Sequence, residues 1–140
     1  MFTSIAITPM YVTDQDEALR FYTETLGFTV DTDVDLGTMR WLTVALPGDP
    51  ERQVLLQRIG DQTATGSAET AAMLRELTER GTTSWMILNT DDCRAAHAEL
   101  TRRGAEIIQE PEEHPYGVDM AVRDPFGNQI RITQRNDWRP

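Results

Sequence analysis

The stretch Val118-Asp119-Met120-Ala121-Val122-Arg123-Asp124-Pro125-Phe126-Gly127-Asn128-Gln129-Ile130-Arg131-Ile132-Thr133 decides the fold. Pro125 sets φ for the first corner of a type I turn, Asp124 can accept hydrogen bonds from the turn's backbone, and Gly127 supplies the left-handed residue that sends the chain back. On either side the residues alternate. Val118, Met120, Val122, Ile130 and Ile132 fall on one face, and Asp119, Ala121, Arg123, Gln129, Arg131 and Thr133 on the other. Period-two alternation around such a turn predicts a tight β-hairpin. Its apolar face needs a helix or sheet over it, and its polar face is either wet or lines a pocket.

Working outward, the hairpin is the end of a longer unit. Thr83–Asn89 reads as a strand, a helix opens at Asp91, carries Ala95, Ala96 and Leu100 and stops at Gly104, and Ala105–Gln109 is the next strand. The same order occurs earlier. Ile5–Val12 is a strand; Asp14 caps a helix with Glu17 three residues on and Ala18, Leu19, Tyr22 and Leu26 as its stripe; Gly27 ends it. Strands Phe28–Val34, Arg40–Leu46 and Gln53–Gln57 follow, parted by Leu36-Gly37-Thr38 and Pro47-Gly48-Asp49-Pro50. Between the halves, Ile59–Gly66 reads as a linker and Ala68–Arg80 as a helix with Met73, Leu74 and Leu77 inward.

Asp14 and Asp91, like Gly27 and Gly104, lie 77 residues apart, so the chain reads as an internal repeat. The expected fold is α+β: a βαβββ module over residues 1–58, a linker with a short helix over 59–81, and a second βαβββ module over 82–140, together forming a cupped mixed sheet. Pairing two curled sheets leaves a cavity between them.

At 140 residues the chain needs no second domain. Its 13 Lys and Arg against 23 Asp and Glu give a net charge of −10, which repels phosphate backbones and anionic membrane surfaces, so nucleic acid and membrane are not expected partners. Met1–Val12 carries no basic residue and no apolar run reaches membrane-span length, and the one cysteine, Cys93, suits a reducing compartment. The expectation is a cytoplasmic protein.

Tyr11-Val12-Thr13-Asp14, Ala18, Phe21-Tyr22, Leu26-Gly27-Phe28 and Asp124-Pro125-Phe126-Gly127-Asn128 together resemble the vicinal oxygen chelate superfamily. It includes glyoxalase I, extradiol dioxygenases, fosfomycin-resistance enzymes and bleomycin-resistance proteins. The resemblance implies one divalent metal in the cup, with a donor seven residues before the Asp that opens each helix. Those positions are Ile7 and Ser84; the two remaining ones fall on or beside Leu55 and on Arg131. Isoleucine and leucine cannot coordinate, and a guanidinium repels a cation. No metal and no other cofactor is therefore expected.

His97 reads as a surface or helix-packing residue and His114 as a loop residue at the rim. Trp41 and Tyr116 are candidates for stacking on a flat or cationic ligand, as resemblance to the bleomycin-resistance type implies, and Trp85 reads as core. Asp119 lies across the hairpin from Arg131, so the two either form an internal ion pair or leave Arg131 to contact a ligand. The expected ligand-binding set is Ile7, Trp41, Leu55, Ser84, His114, Tyr116, Asp119 and Arg131. The favoured function is metal-independent binding of a small organic molecule, in sequestration or resistance, by a homodimer. The alternatives are a lyase or dioxygenase using a divalent metal, and a structural protein whose cup is filled by its own side chains.

Overall fold

Asp124 and Asn128, the ends of the hairpin turn, are almost fully buried, at 2% and 0% exposure. A computed structural model of the protein describes residues 1–60 and 66–140. In it the first module runs β1 (Ile7–Val12), α1 (Gln15–Arg20), a π-helical turn (Phe21–Thr25), β2 (Thr29–Asp35), β3 (Arg40–Leu46) and β4 (Asp49–Arg58). A linking helix, α2 (Ala68–Glu79), precedes β5 (Trp85–Asn89), α3 (Cys93–Arg102), β6 (Glu106–His114), β7 (Gly117–Arg123) and β8 (Gln129–Arg135). The strands form two sheets of four, ordered β1-β4-β3-β2 and β5-β8-β7-β6, each with one parallel pair and two antiparallel ones. This is the expected α+β pair of βαβββ modules. Among the described residues no helix is long and apolar enough to cross a membrane.

The helix-side faces of both sheets share one core. Met10, Val12, Leu42, Val44 and Leu56 of the first sheet join Met120, Val122, Ile130 and Ile132 of the second, with Tyr22, Phe28, Leu100 and Phe126 among the residues between. Tyr22 is wholly buried and meets Phe21 and Phe28 edge to face at 5.3 and 5.9 Å. The modules are then joined by hydrogen bonds around the hairpin turn. Asp124 Oδ1 accepts from the amides of Phe126 (2.9 Å) and Asn128 (2.8 Å), and its Oδ2 accepts from Asn128 Nδ2 (2.8 Å) and from Tyr22 Oη (2.9 Å) of the first module. Asn128 Nδ2 also donates to Tyr11 O at 2.7 Å. Ser84 Oγ donates to Asn128 Oδ1 at 3.0 Å and accepts from the Tyr11 amide at 3.1 Å. Burial pushes the Asp124 carboxyl up and, together with the Asp124 charge, pushes Tyr22 well up.

Gly127 has a positive φ of 112°, as its turn role requires, and a Cβ there would lie 2.2 Å from Thr78 O. The end of α2 rests on the turn itself.

Several boundaries move. Asp14 caps α1 by accepting from the Glu17 amide at 2.9 Å, but the second helix is capped by Asp92, which accepts from Ala95, and not by Asp91. The caps are thus 78 residues apart while the closing glycines stay 77 apart, and the π turn after α1 absorbs the difference. Strand β4 begins at Asp49, leaving Pro47-Gly48 as the turn, and β6 continues to His114. In α2 the buried residues are Ala71 and Thr78, whereas Met73 and Leu77, expected inward, are 53% and 47% exposed. The helix thus buries its small residues, and the backbone of Thr78 and Glu79 at its end meets the hairpin turn at Gly127. Residues 61–65 of the expected linker lie outside the described residues.

Tyr22→Phe removes a buried donor from Asp124 without changing the packing shape. It should cost about 1.5–3 kcal/mol in denaturant unfolding, the range for a hydrogen bond to a charged group. A loss no larger than that of Tyr11→Phe, whose side chain is outside this network, would show that the bond is dispensable.

Candidate functional site

The faces turned away from the shared core carry the candidate residues. In the first sheet, Ile7, Pro9 and Tyr11 of β1 share a face with Leu55 and Gln57 of β4 and with Trp41 and Thr43 of β3, as the pairs Pro9 with Leu55, Tyr11 with Gln57 and Thr43 with Leu55 require. Ile7 is 40% exposed, Trp41 half-buried and Leu55 buried. Beyond Thr43 and Leu55 the paired register of β3 and β4 ends, and Gln15 Nε2 bridges the strands by donating to Arg40 O and Leu56 O at 3.0 and 2.9 Å. Gln57, passed over in the sequence, is buried on this face, and among the described residues no acceptor meets its Nε2.

In the second sheet the outer face carries Trp85 and Ile87 of β5, Arg131 and Thr133 of β8, Asp119 and Ala121 of β7, and Gln109 of β6. A polar cluster is built around Asp119, which is 1% exposed. Arg131 Nη2 donates to Asp119 Oδ2 at 2.6 Å and to Gln109 Oε1 at 3.2 Å; Gln109 Nε2 donates to Asp119 Oδ1 at 3.0 Å; and Tyr116 Oη donates to Asp119 Oδ2 at 2.8 Å. His114 Nε2 stands 3.2 Å from Asp119 Oδ1 and 3.7 Å from Glu112 Oε2, out of line for a hydrogen bond, and its ring stacks on Tyr116 with centroids 5.1 Å apart and planes at 4°. Burial alone would raise the Asp119 carboxyl, but Arg131, Tyr116 and Gln109 together hold it below the usual carboxylate range. The same contact to Asp119 raises Arg131 and Tyr116.

The expected internal pair of Asp119 and Arg131 is therefore present, with Tyr116 and His114 gathered on the same carboxylate. His114 is the last residue of β6, a strand position and not the loop position expected, because β6 and β7 close on Pro115 and Tyr116. Ser84 is buried before β5 and spends its hydroxyl on Asn128 and Tyr11. Trp85, expected in the core, is 65% exposed on the face of Arg131. Both corrections have one cause: with the cap at Asp92, the position seven residues earlier is Trp85, so Trp85 and not Ser84 corresponds to Ile7. Gln109 was missed because the bulges in β6 hide its alternation. His97 pairs with Glu110 at 2.6 Å, and Cys93 is fully buried, its thiol raised chiefly by burial.

These residues do not fit a family-type metal. Ile7, Leu55 and Trp85 bring no donor to the expected positions, and Arg131 brings a fixed positive charge. Among the described residues no three His, Cys, Asp or Glu side chains are grouped to hold a metal ion.

A family model for the Glyoxalase/Bleomycin resistance protein/Dioxygenase superfamily matches residues 4–132. The crystal structure of UcmS2 is similar at a TM-score of 0.90 and 34% identity, over 96% of this chain and 99% of that one. TnmS3, an antibiotic binding protein from Streptomyces sp. CB03234, is similar at 0.76 and 27%, over 96% and 98%. Protein YurT of Bacillus subtilis (strain 168) is 30% identical over 131 residues, 94% of this chain and 98% of YurT.

Arg131→Gln should strand the Asp119 carboxylate and destabilise the fold at pH 7 by about 2–3 kcal/mol, the low end for a broken buried pair because the Arg131 side chain is 33% exposed. Adding Asp119→Asn should recover much of the loss. In the parent, Asp119 titrates below its unfolded value of about 3.9, so its stabilisation holds above that pH and is lost as pH falls through the folded value. Without Arg131 burial dominates and raises Asp119, so the deficit of the variant should shrink as pH is lowered from 7 towards 5. Urea unfolding across that range checks both, and a deficit independent of pH would count against the pair.

Proposed function

Because this chain belongs to the Glyoxalase/Bleomycin resistance protein/Dioxygenase superfamily, we propose that it binds a small organic molecule on its outer sheet faces without a metal and without transforming it, in sequestration or resistance. One observation carries the reading. The positions where the family resemblance implies metal donors hold Ile7, Leu55, Trp85 and Arg131, and these bring apolar and aromatic surface and one guanidinium to the faces instead. Trp85 and Ile87, 65% and 53% exposed, lie beside the Asp119 cluster, giving the mix of apolar wall and few convergent polar groups typical of small-molecule sites. The similarity to TnmS3, an antibiotic binding protein, supports a ligand of that kind. Exposed Ile7, Trp85 and Ile87 on two open faces also support a homodimer in which a second chain helps to cover them.

Elemental analysis of protein purified without affinity metals should find far less than one divalent ion per chain. Thermal shift with a panel of natural-product antibiotics should find a stabilising compound, since a ligand at 100 times its Kd adds about 2.7 kcal/mol. Mass spectrometry should recover that compound unchanged. Chemical conversion would favour a lyase or dioxygenase instead, and a panel without any stabilising compound would favour a face filled by its own side chains. Light scattering should give twice the mass of the 15.9 kDa chain.

A further inference from the structure

We propose that the Arg123 guanidinium anchors a negatively charged group of the ligand, so that the outer face of the second sheet takes an acidic molecule: a carboxylate carried on an aromatic body. The inference deepens the reading above by naming the ligand class, and it rests on that reading.

Strand register puts Arg123 on the outer face. It stands opposite Gln129 of β8, which stands opposite Trp85 of β5, and on its other side it faces Glu106 of β6. Directly opposed residues point to the same side of a sheet, so Trp85, Gln129, Arg123 and Glu106 form one row across the four strands. Arg131 lies diagonally from Arg123, and the two guanidinium groups differ in what they hold. Arg131 is bonded to Asp119 and Gln109. Arg123 is half-buried, its Nε is out of reach of water, and among the described residues no acceptor meets any of its nitrogens, the opposed Glu106 included. A guanidinium held in that way lacks an acceptor, and an anion supplies it. Its planar fork of N–H groups matches the two oxygens of a carboxylate.

The same row sets the rest of the ligand. Trp85 and the neighbouring Ile87, 65% and 53% exposed, give it an apolar end, and Trp85 is two strand spacings, or about 10 Å, from Arg123. A molecule that stacks on Trp85 and reaches Arg123 carries its charge at the end of a rigid body of about that length. The net charge of −10 disfavours anions from a distance, so the selectivity acts by contact.

The probes are para-phenylbenzoate and its uncharged counterpart para-phenylbenzamide, titrated calorimetrically at pH 7 in EDTA into the parent, Arg123→Gln and Trp85→Ala. The parent should bind the benzoate about tenfold more tightly than the benzamide, as one charge-assisted contact implies. Arg123→Gln should bind the two about equally, and Trp85→Ala should weaken both by a similar factor. If Arg123→Gln does not fold, the parent alone decides: the arginine Nε–H resonance that disappears in Arg123→Lys should move with the benzoate and stay in place with the benzamide. A parent that binds both probes equally or binds neither, an Arg123→Gln that keeps the preference, or an Arg123 resonance that ignores the benzoate would overturn the anchor while leaving metal-free binding of an uncharged molecule intact. A parent that binds the benzoate only when a divalent ion replaces EDTA would overturn both.

Discussion

The Asp124 carboxylate is the constraint on which the rest of the structure depends. Its four hydrogen bonds close the hairpin turn on one side and reach Tyr22 of the other module on the other. A carboxylate at 2% exposure is tolerable only because each oxygen is met by two donors, three from the turn itself and one from Tyr22 in the other module. Asn128 extends the network to Tyr11 and Ser84, so the end of β1 and the residue before β5 meet at the seam through amide, carbonyl and hydroxyl groups. The polar seam then fixes where the two helix-side faces meet and merges them into one core.

Much of this was legible in the residue order. The turn chemistry of Asp124-Pro125-Phe126-Gly127-Asn128 needs only local rules, and the alternation on both arms identified the core face of β7 and β8 residue by residue. The cap at Asp14 and the pairing of Asp119 with Arg131 were also readable, since both depend on spacing within one element or one hairpin. What escaped was whatever depended on another part of the chain. Met73 and Leu77 read as inward because they are apolar and helically spaced, yet the side that the fold buries carries Ala71 and Thr78.

The misreadings on the outer face share a different origin. Strand alternation assigns side chains to faces only when the first residue is correctly phased, and a one-residue error inverts every assignment. Choosing Asp91 over Asp92 as a cap put Ser84 on the open face and Trp85 in the core, the reverse of their positions. His114 reads as a loop residue in the sequence because bulges in β6 interrupt the alternation that marks a strand.

The π turn from Phe21 to Thr25 has a consequence for how the two halves can be regarded as copies. It lengthens the first helical passage by one residue and places Tyr22 where its hydroxyl meets Asp124, a contact without a counterpart in α3, whose closing turn is regular. The halves are thus no longer exchangeable parts: a chimera with α3 transplanted into the first module would be one residue short and would bring no phenol to the seam. The pair of halves is directional, with the first built to clasp and the second to be clasped.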